Sequence, residues 1–209
     1  MRTLTNVQKS ILLAMALLGW FGLIGQFVVF YKLDRFPLSE LIIQYFTFFT
    51  VLTNILVALS ATMILWKPDS FFSRQSVQTA IAGYIFIVSL IYNTILRFLW
   101  HPQGLHKVVD ELLHLIIPIL FILYWALYST RAKLKWTSIV KWQLYPLVYI
   151  CWVFIRAQFS GFYPYPFLDL QTLGVEKVMI NCIEITVLFV LTSFVFVGIG
   201  NYIVKRRTL

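Results

Sequence analysis

Six apolar runs, separated by short polar or basic connections, constrain this chain more than any other feature. The hydrocarbon core of a bilayer takes about 20 helical residues to cross. The runs lie at about 11–31, 41–66, 77–100, 108–128, 142–159 and 178–204 of 209 residues, which leaves little chain outside a membrane. Backbone polar groups in hydrocarbon must be satisfied within their own segment, so each run is predicted to be helical. The expected fold is all-α: one domain over residues 1–209, a bundle of six transmembrane helices. The first run is too long for the apolar part of a removable signal peptide and lacks a small-residue cleavage site, so it reads as a retained span.

Composition enters here as an exclusion. Only 12% of residues are charged and 60% are hydrophobic, whereas soluble chains carry about 25% charge. The net charge of +9 invites a nucleic-acid reading, but the basic residues sit between apolar runs, which is the pattern of membrane topology. With the N-terminus inside, Arg2, Lys9, Lys67, Arg74, Arg131, Lys133, Lys135, Lys141, Lys205, Arg206 and Arg207 fall on the cytoplasmic side. Only Lys32, Arg35, Arg97, Lys107, Arg156 and Lys177 fall opposite, while Asp34 and most other acidic residues lie on or near the outer side. Both termini are therefore expected in the cytoplasm, with the protein in the cell membrane and the lipid bilayer, not nucleic acid, as its partner. Cys151 and Cys182 lie in apolar runs and form no disulfide framework or Cys-x-x-Cys metal pattern. No cofactor is implied.

Within the second run, Gln44-Tyr-Phe-Thr-Phe-Phe-Thr-Val-Leu-Thr-Asn54 breaks the oily pattern. As a continuous helix it puts Gln44, Thr47, Thr50 and Asn54 within a sector of about 120°. Polar groups in hydrocarbon are costly, so this stripe should face a bundle interior. The other spans carry polar residues at the same outer level: Gln26, Asn93, Arg97, Asp110, Glu111, His114, Arg156, Asn181 and Glu184. Their i, i+4 spacings place Asn93 with Arg97, and Asp110 with His114, each pair on one helix face. The same holds for Lys177, Asn181 and Glu184. The inner halves read as Leu, Ile, Val and Phe. These features point to a polar cavity in the outer half, sealed below by an apolar plug. The blander alternative is that these groups only join helices through hydrogen bonds and ion pairs.

One pair in this set is chemically competent. His114 is the only histidine inside a predicted span, and neutral imidazole is the usual general base. Counted from the start of span two, Thr47 lies at a comparable depth. A hydroxyl and a base at matched depth permit nucleophilic acyl transfer. Asp110, one turn before His114, can orient the imidazole or make only a local contact. Asn54, Asn93, Asn181 and Arg156 are unranked donors for an oxyanion.

Thr47 within Gln-Tyr-Phe-Thr-Phe-Phe-Thr-Val-Leu-Thr-Asn, His114 within Asp-Glu-Leu-Leu-His-Leu-Ile-Ile-Pro, and Gly161-Phe-Tyr-Pro-Tyr-Pro-Phe-Leu-Asp169 carry a resemblance. From span two to the start of span six the chain resembles the family of androgen-induced proteins and androgen-dependent TFPI-regulating proteins, most closely its bacterial branch. The resemblance implies a six-span intramembrane threonine hydrolase acting on fatty acid esters of hydroxy fatty acids, a membrane lipid substrate. It maps the nucleophile to Thr47 and the histidine to His114. An ester dissolved in the bilayer can enter such a site sideways, between helices.

Two further function classes fit the residues. His106, Asp110 and His114 recur every four positions and, with Glu111, offer metal ligands for a metal-dependent lipid hydrolase. A cavity that only binds or carries a small solute or lipid is the non-enzymatic alternative, although the chain shows no clear internal repeat and no Gly/Pro-broken pair of spans. Gly19, Gly22 and Gly25 are expected to allow close helix packing. The proline-containing Gly161–Leu173 stretch reads either as an aromatic belt or as a lid, with Asp169 as a cap. Oligomeric state is not legible.

Overall fold

The computed structural model describes residues 3–33, 37–129 and 131–207. Arg2, Asp34 and Arg35, which entered the charge count above, lie outside the described residues. The described residues form helices and no strand. Six helical stretches are long and apolar enough to cross a membrane: Asn6–Lys32, Phe49–Trp66, Gln75–Phe98, Leu105–Ser129, Ser138–Ser160 and Leu170–Arg207.

Helix α1 (Asn6–Lys32) begins with a reciprocal cap. Gln8 N donates to the Thr5 side chain at 3.2 Å, and Thr5 N donates to the Gln8 side chain at 2.9 Å. One face of α1 then packs closely on α3 (Phe49–Trp66) and α5 (Leu105–Glu111). A Cβ added at Gly19 would lie 3.0 Å from the Ala58 Cβ, and one at Gly25 would lie 2.7 Å from Val109 Cγ2. The glycines thus have the packing role expected of them. Gly19→Leu should lower thermal stability in detergent by about 1–3 kcal/mol or more, because the Ala58 backbone leaves the larger side chain no room.

Span two is not the continuous helix expected from residue 41 onward. Helix α2 (Leu38–Tyr45) ends, Phe46, Thr47 and Phe48 leave the helical path, and α3 starts anew. Thr47 supplies the local reason. Its N–H bonds to Gln44 O at 2.9 Å, tightening the turn, while its hydroxyl donates to Ile43 O at 2.8 Å, the acceptor a continuous helix would give to the N–H. The stripe is therefore split at its central threonine.

Span four is also irregular. A wide π turn, Leu112–Ile116, separates α5 from α6 (Ile117–Tyr124). Pro118 has no N–H to donate to His114 O, four residues back, and its ring crowds that carbonyl. Neighbouring helices supply the missing donors. Asn93, on α4 (Gln75–Thr94), donates to His114 O at 3.1 Å, and Asn54 donates to Leu113 O at 3.2 Å. Asn93→Leu should destabilise the fold by about 1–3 kcal/mol. In a Pro118→Ala background, where a backbone N–H is restored, the same change should cost less. A double-mutant cycle read by thermal unfolding measures the coupling, and simple additivity would refute this account.

The last spans are α7 and α8 (Ser138–Trp142 and Leu144–Ser160) and α9 (Leu170–Arg207). Gly161 ends α8 at φ 65°, a left-handed conformation that suits glycine. Gly174, at φ 74° and ψ 165°, interrupts α9 near its start. Span six therefore begins closer to residue 175 than to the expected 178.

The plug expected of the inner halves is apolar in part: Leu12, Met15, Ile64, Ile81 and Phe121 are buried there, but polar side chains are buried with them. Gln78 is fully buried and accepts from the Ser129 hydroxyl. Trp125 Nε1 donates to Thr79 Oγ1 at 2.9 Å, and Asn201 accepts from Leu134 N at 2.7 Å and donates to Leu134 O at 3.2 Å. These groups stand near the ends of their runs, so no polar row announces them in the sequence.

Candidate functional site

The outer polar residues gather in separate groups. Between α2 and α8, Arg156 pairs with Glu40, and Gln44 Nε2 donates to the same carboxylate at 3.3 Å. These residues and Ser160 line an open groove of about 620 Å³, together with the apolar Ile43, Phe159 and Phe162. Between α4 and α5, Arg97 pairs with Glu111 at 2.5 Å and lies over the Tyr92 ring, 5.6 Å from its centroid. Asn181 instead donates to Phe167 O at 2.8 Å, and Glu184 and Lys177 are exposed on α9.

A single chamber fed by all six spans is therefore not what the contacts describe. Depth along a helix is countable from sequence, whereas rotation about the helix axis is set by packing. Glu184 is the clearest correction: its depth matches the group, but it faces outward.

His114 is held from several sides. Its Nδ1 lies 2.9 Å from Asp110 O and 3.3 Å from Asp110 Oδ1. The ring stacks on Tyr92 with centroids 3.7 Å apart and planes at 12°. The Tyr92 hydroxyl donates to Asp110 in turn. Asp110 thus orients the imidazole through Nδ1, by its backbone carbonyl and its carboxylate, and leaves Nε2 uncommitted to it. The i, i+4 spacing identified this pair correctly. Tyr92 was missed, because a tyrosine in an apolar run carries no distinguishing signal.

Thr47 is fully buried at the break between α2 and α3. Its carbonyl accepts from the Tyr149 hydroxyl at 3.0 Å, and Thr50 N donates to the Tyr165 hydroxyl at 3.4 Å. Tyr165 reaches this position because the Gly161–Asp169 loop turns inward: Tyr165 and Leu168 are buried, and Phe48 packs edge-on against Phe162 and Tyr165. Burial pushes the Tyr165 phenol up from its ordinary pKa, so it stays protonated at neutral pH. The loop covers the start of α3, which favours the lid reading over a belt turned to lipid. Asp169 caps the following turn, accepting from Gln171 N at 2.8 Å. The sequence singled out this loop but not Tyr149 or Glu40.

The break falls between the open groove and a second, apolar space. Ile43 and Gln44, just before it, belong to the groove. Phe49 and Thr50, just after it, line an apolar slot of about 90 Å³ together with Tyr149 and Tyr165. Neither wall includes Thr47 or His114. The hydrogen bonds of these two side chains go to different neighbours, Ile43 for one and Asp110 for the other.

Two expectations about ligands change. Of the expected oxyanion donors, Asn54 and Asn93 each donate to two backbone carbonyls and Asn181 donates to Phe167 O, whereas Arg156 binds Glu40 through Nη2 and keeps a buried Nε without a partner. Among the described residues no group of three or more His, Cys, Asp or Glu is arranged to hold a metal ion. Asp110 is committed to His114 and Tyr92, and Glu111 to Arg97, so the His106/Asp110/His114 metal reading fails on geometry.

The fold is that of a multi-pass helical membrane protein. Comparison with protein-family models, curated proteins and solved structures finds no match to this chain.

Proposed function

We propose that this protein is an intramembrane hydrolase that cleaves a lipid ester of the fatty acid ester of hydroxy fatty acid type. Thr47 is the nucleophile and His114 the general base, as the resemblance to the bacterial branch of the androgen-induced protein family implies. The observation that carries the reading is the position of the Thr47 break between an open groove that bears the Arg156–Glu40 pair and an apolar slot. An ester has the same division, with polar oxygens beside an acyl chain. The Asp110–His114 pair adds a fixed imidazole with Nε2 uncommitted to Asp110.

In the reaction, Thr47 Oγ1 attacks the ester carbonyl carbon while His114 takes its proton. The tetrahedral intermediate collapses, the C–O bond to the alcohol breaks, and His114 returns the proton to the leaving alkoxide. Water then hydrolyses the acyl-threonine by the same route. Arg156, whose buried Nε has no partner and which lines the groove beside Gln44, is the oxyanion donor in this scheme. One rearrangement is required: the Thr47 hydroxyl must leave Ile43 O and meet the imidazole. Both termini lie in the cytoplasm of a cell-membrane protein in this reading.

A fluorophosphonate probe tests the assignment. Purified protein should be labelled at Thr47, and the adduct should vanish in His114→Ala. An unlabelled protein that also cleaves no lipid ester would refute it. The broken second span favours a second reading, transport of a small solute, because transporters build their sites from interrupted helices. Uptake into proteoliposomes that survives Thr47→Ala would select that reading over hydrolysis.

A further inference from the structure

At the end of the bundle that carries the C-terminus, a short surface loop is held by side chains from two helices. Gln75, at the start of α4, gives both ends of its carboxamide to it: Oε1 accepts from Arg131 N at 3.0 Å and Ala132 N at 2.8 Å, and Nε2 donates to Ala132 O at 2.6 Å. Asn201, near the end of α9, clasps Leu134 in the same way, accepting from its N–H at 2.7 Å and donating to its carbonyl at 3.2 Å. Leu134 turns inward and packs on the core, whereas Arg131, Lys133 and Lys135 are exposed. Neither lysine meets an acid among the described residues. Holding three like charges on a fixed backbone costs free energy through their repulsion, and a bound anion relieves it. The surroundings add to the same field. Arg207 Nη2 donates to Ala126 O at 3.1 Å and Leu127 O at 2.8 Å, which brings the basic end of α9 toward the loop. Among the described residues Asp69 is the one acid at this end. Next to the loop, Trp136 is 52% exposed, with its ring 5.7 Å from that of Phe194 on the exposed side of α9. Tryptophan favours the boundary between hydrocarbon and headgroups, so the adjoining bases stand at the level of the lipid phosphates.

We propose that the 131–135 loop is a binding site for the headgroup of an anionic phospholipid. The phosphodiester lies against Lys133 and Lys135, with Arg131 as a third donor, while the lipid's tails stay in the bilayer beside Trp136. A glycerol headgroup suits the site better than choline or ethanolamine, either of which would set its own cation among the bases. The inference rests neither on the hydrolase reading nor on which leaflet the loop faces.

The test is native mass spectrometry of the full chain released from micelles that hold equal amounts of phosphatidylglycerol and phosphatidylcholine. Retained phosphatidylglycerol should exceed phosphatidylcholine about tenfold or more. Lys133→Gln and Lys135→Gln together should lower its affinity about 25-fold, at about fivefold for each base near a headgroup. The matched pair Lys67→Gln and Arg74→Gln, in the other loop at this end, should leave it nearly unchanged. Asn201→Leu removes no charge but releases Leu134, so it should weaken retention as well. Equal retention of the two lipids, or equal losses from the two charge pairs, would overturn the proposal. Displacement of phosphatidylglycerol by excess inorganic phosphate would overturn it too, since the site would then belong to a soluble anion. The lysines are exposed, so their variants should fold. If one does not, the contrast between the two lipids on the wild-type protein decides.

Discussion

Thr47→Ala is expected to lower ester hydrolysis by about 10⁴-fold or more, because a chain without its nucleophile retains only the binding and oxyanion contributions. The variant should still fold. The lost group is one hydroxyl bonded to one carbonyl, and with the hydroxyl gone Ile43 O can take a backbone N–H and the helix can close across the break. Thermal unfolding in the same detergent therefore separates loss of chemistry from loss of structure. Thr47→Ser should restore part of the rate, since it keeps the Oγ and removes only a methyl group. An alanine variant within tenfold of wild type would remove Thr47 from the mechanism.

The second large effect is expected from Asp110→Asn. The Asp110 backbone carbonyl, 2.9 Å from His114 Nδ1, stays in place and keeps Nδ1 as the donor, so the asparagine preserves the shape and the Tyr92 contact. What it removes is the carboxylate charge that stabilises the imidazolium formed when Nε2 takes the Thr47 proton. By analogy with the serine triad, kcat should fall by about 10²–10⁴-fold with KM little changed. Fluorophosphonate labelling of Thr47 should slow in parallel. A purely structural role would instead lower thermal stability and leave the labelling rate per folded molecule unchanged. Tyr92→Phe removes a hydroxyl from Asp110 and leaves the ring stacked on His114, so it should have a smaller effect than Asp110→Asn.

The contact between Asp110 and His114 was legible because i, i+4 residues on one helix meet wherever that helix packs. The glycine face of α1 was legible too: a missing side chain in an apolar span has few uses besides close approach. Pro118 marks a carbonyl that loses its donor, although its partner Asn93 is known only once α4 lies beside the π turn. The arrangement of groove and slot around Thr47 was hidden, because it depends on a tyrosine from α8 and another from a loop 118 residues further along the chain than Thr47. The outward turn of Glu184 was hidden for a related reason: its depth follows from counting, and its direction does not.

By itself, the order of residues determined that this chain forms apolar helices of membrane-crossing length, because hydrocarbon tolerates no unpaired backbone. It also determined which side chains share a helix face, since that follows from a fixed 100° step. Only the tertiary structure decided that span two breaks at Thr47, that the outer polar residues divide between Glu40–Arg156 and Asp110–His114, and that Gln78 is buried against Ser129. Those outcomes depend on how each helix is rotated against its neighbours, which is settled by side-chain packing over the whole bundle and not by any local run of sequence.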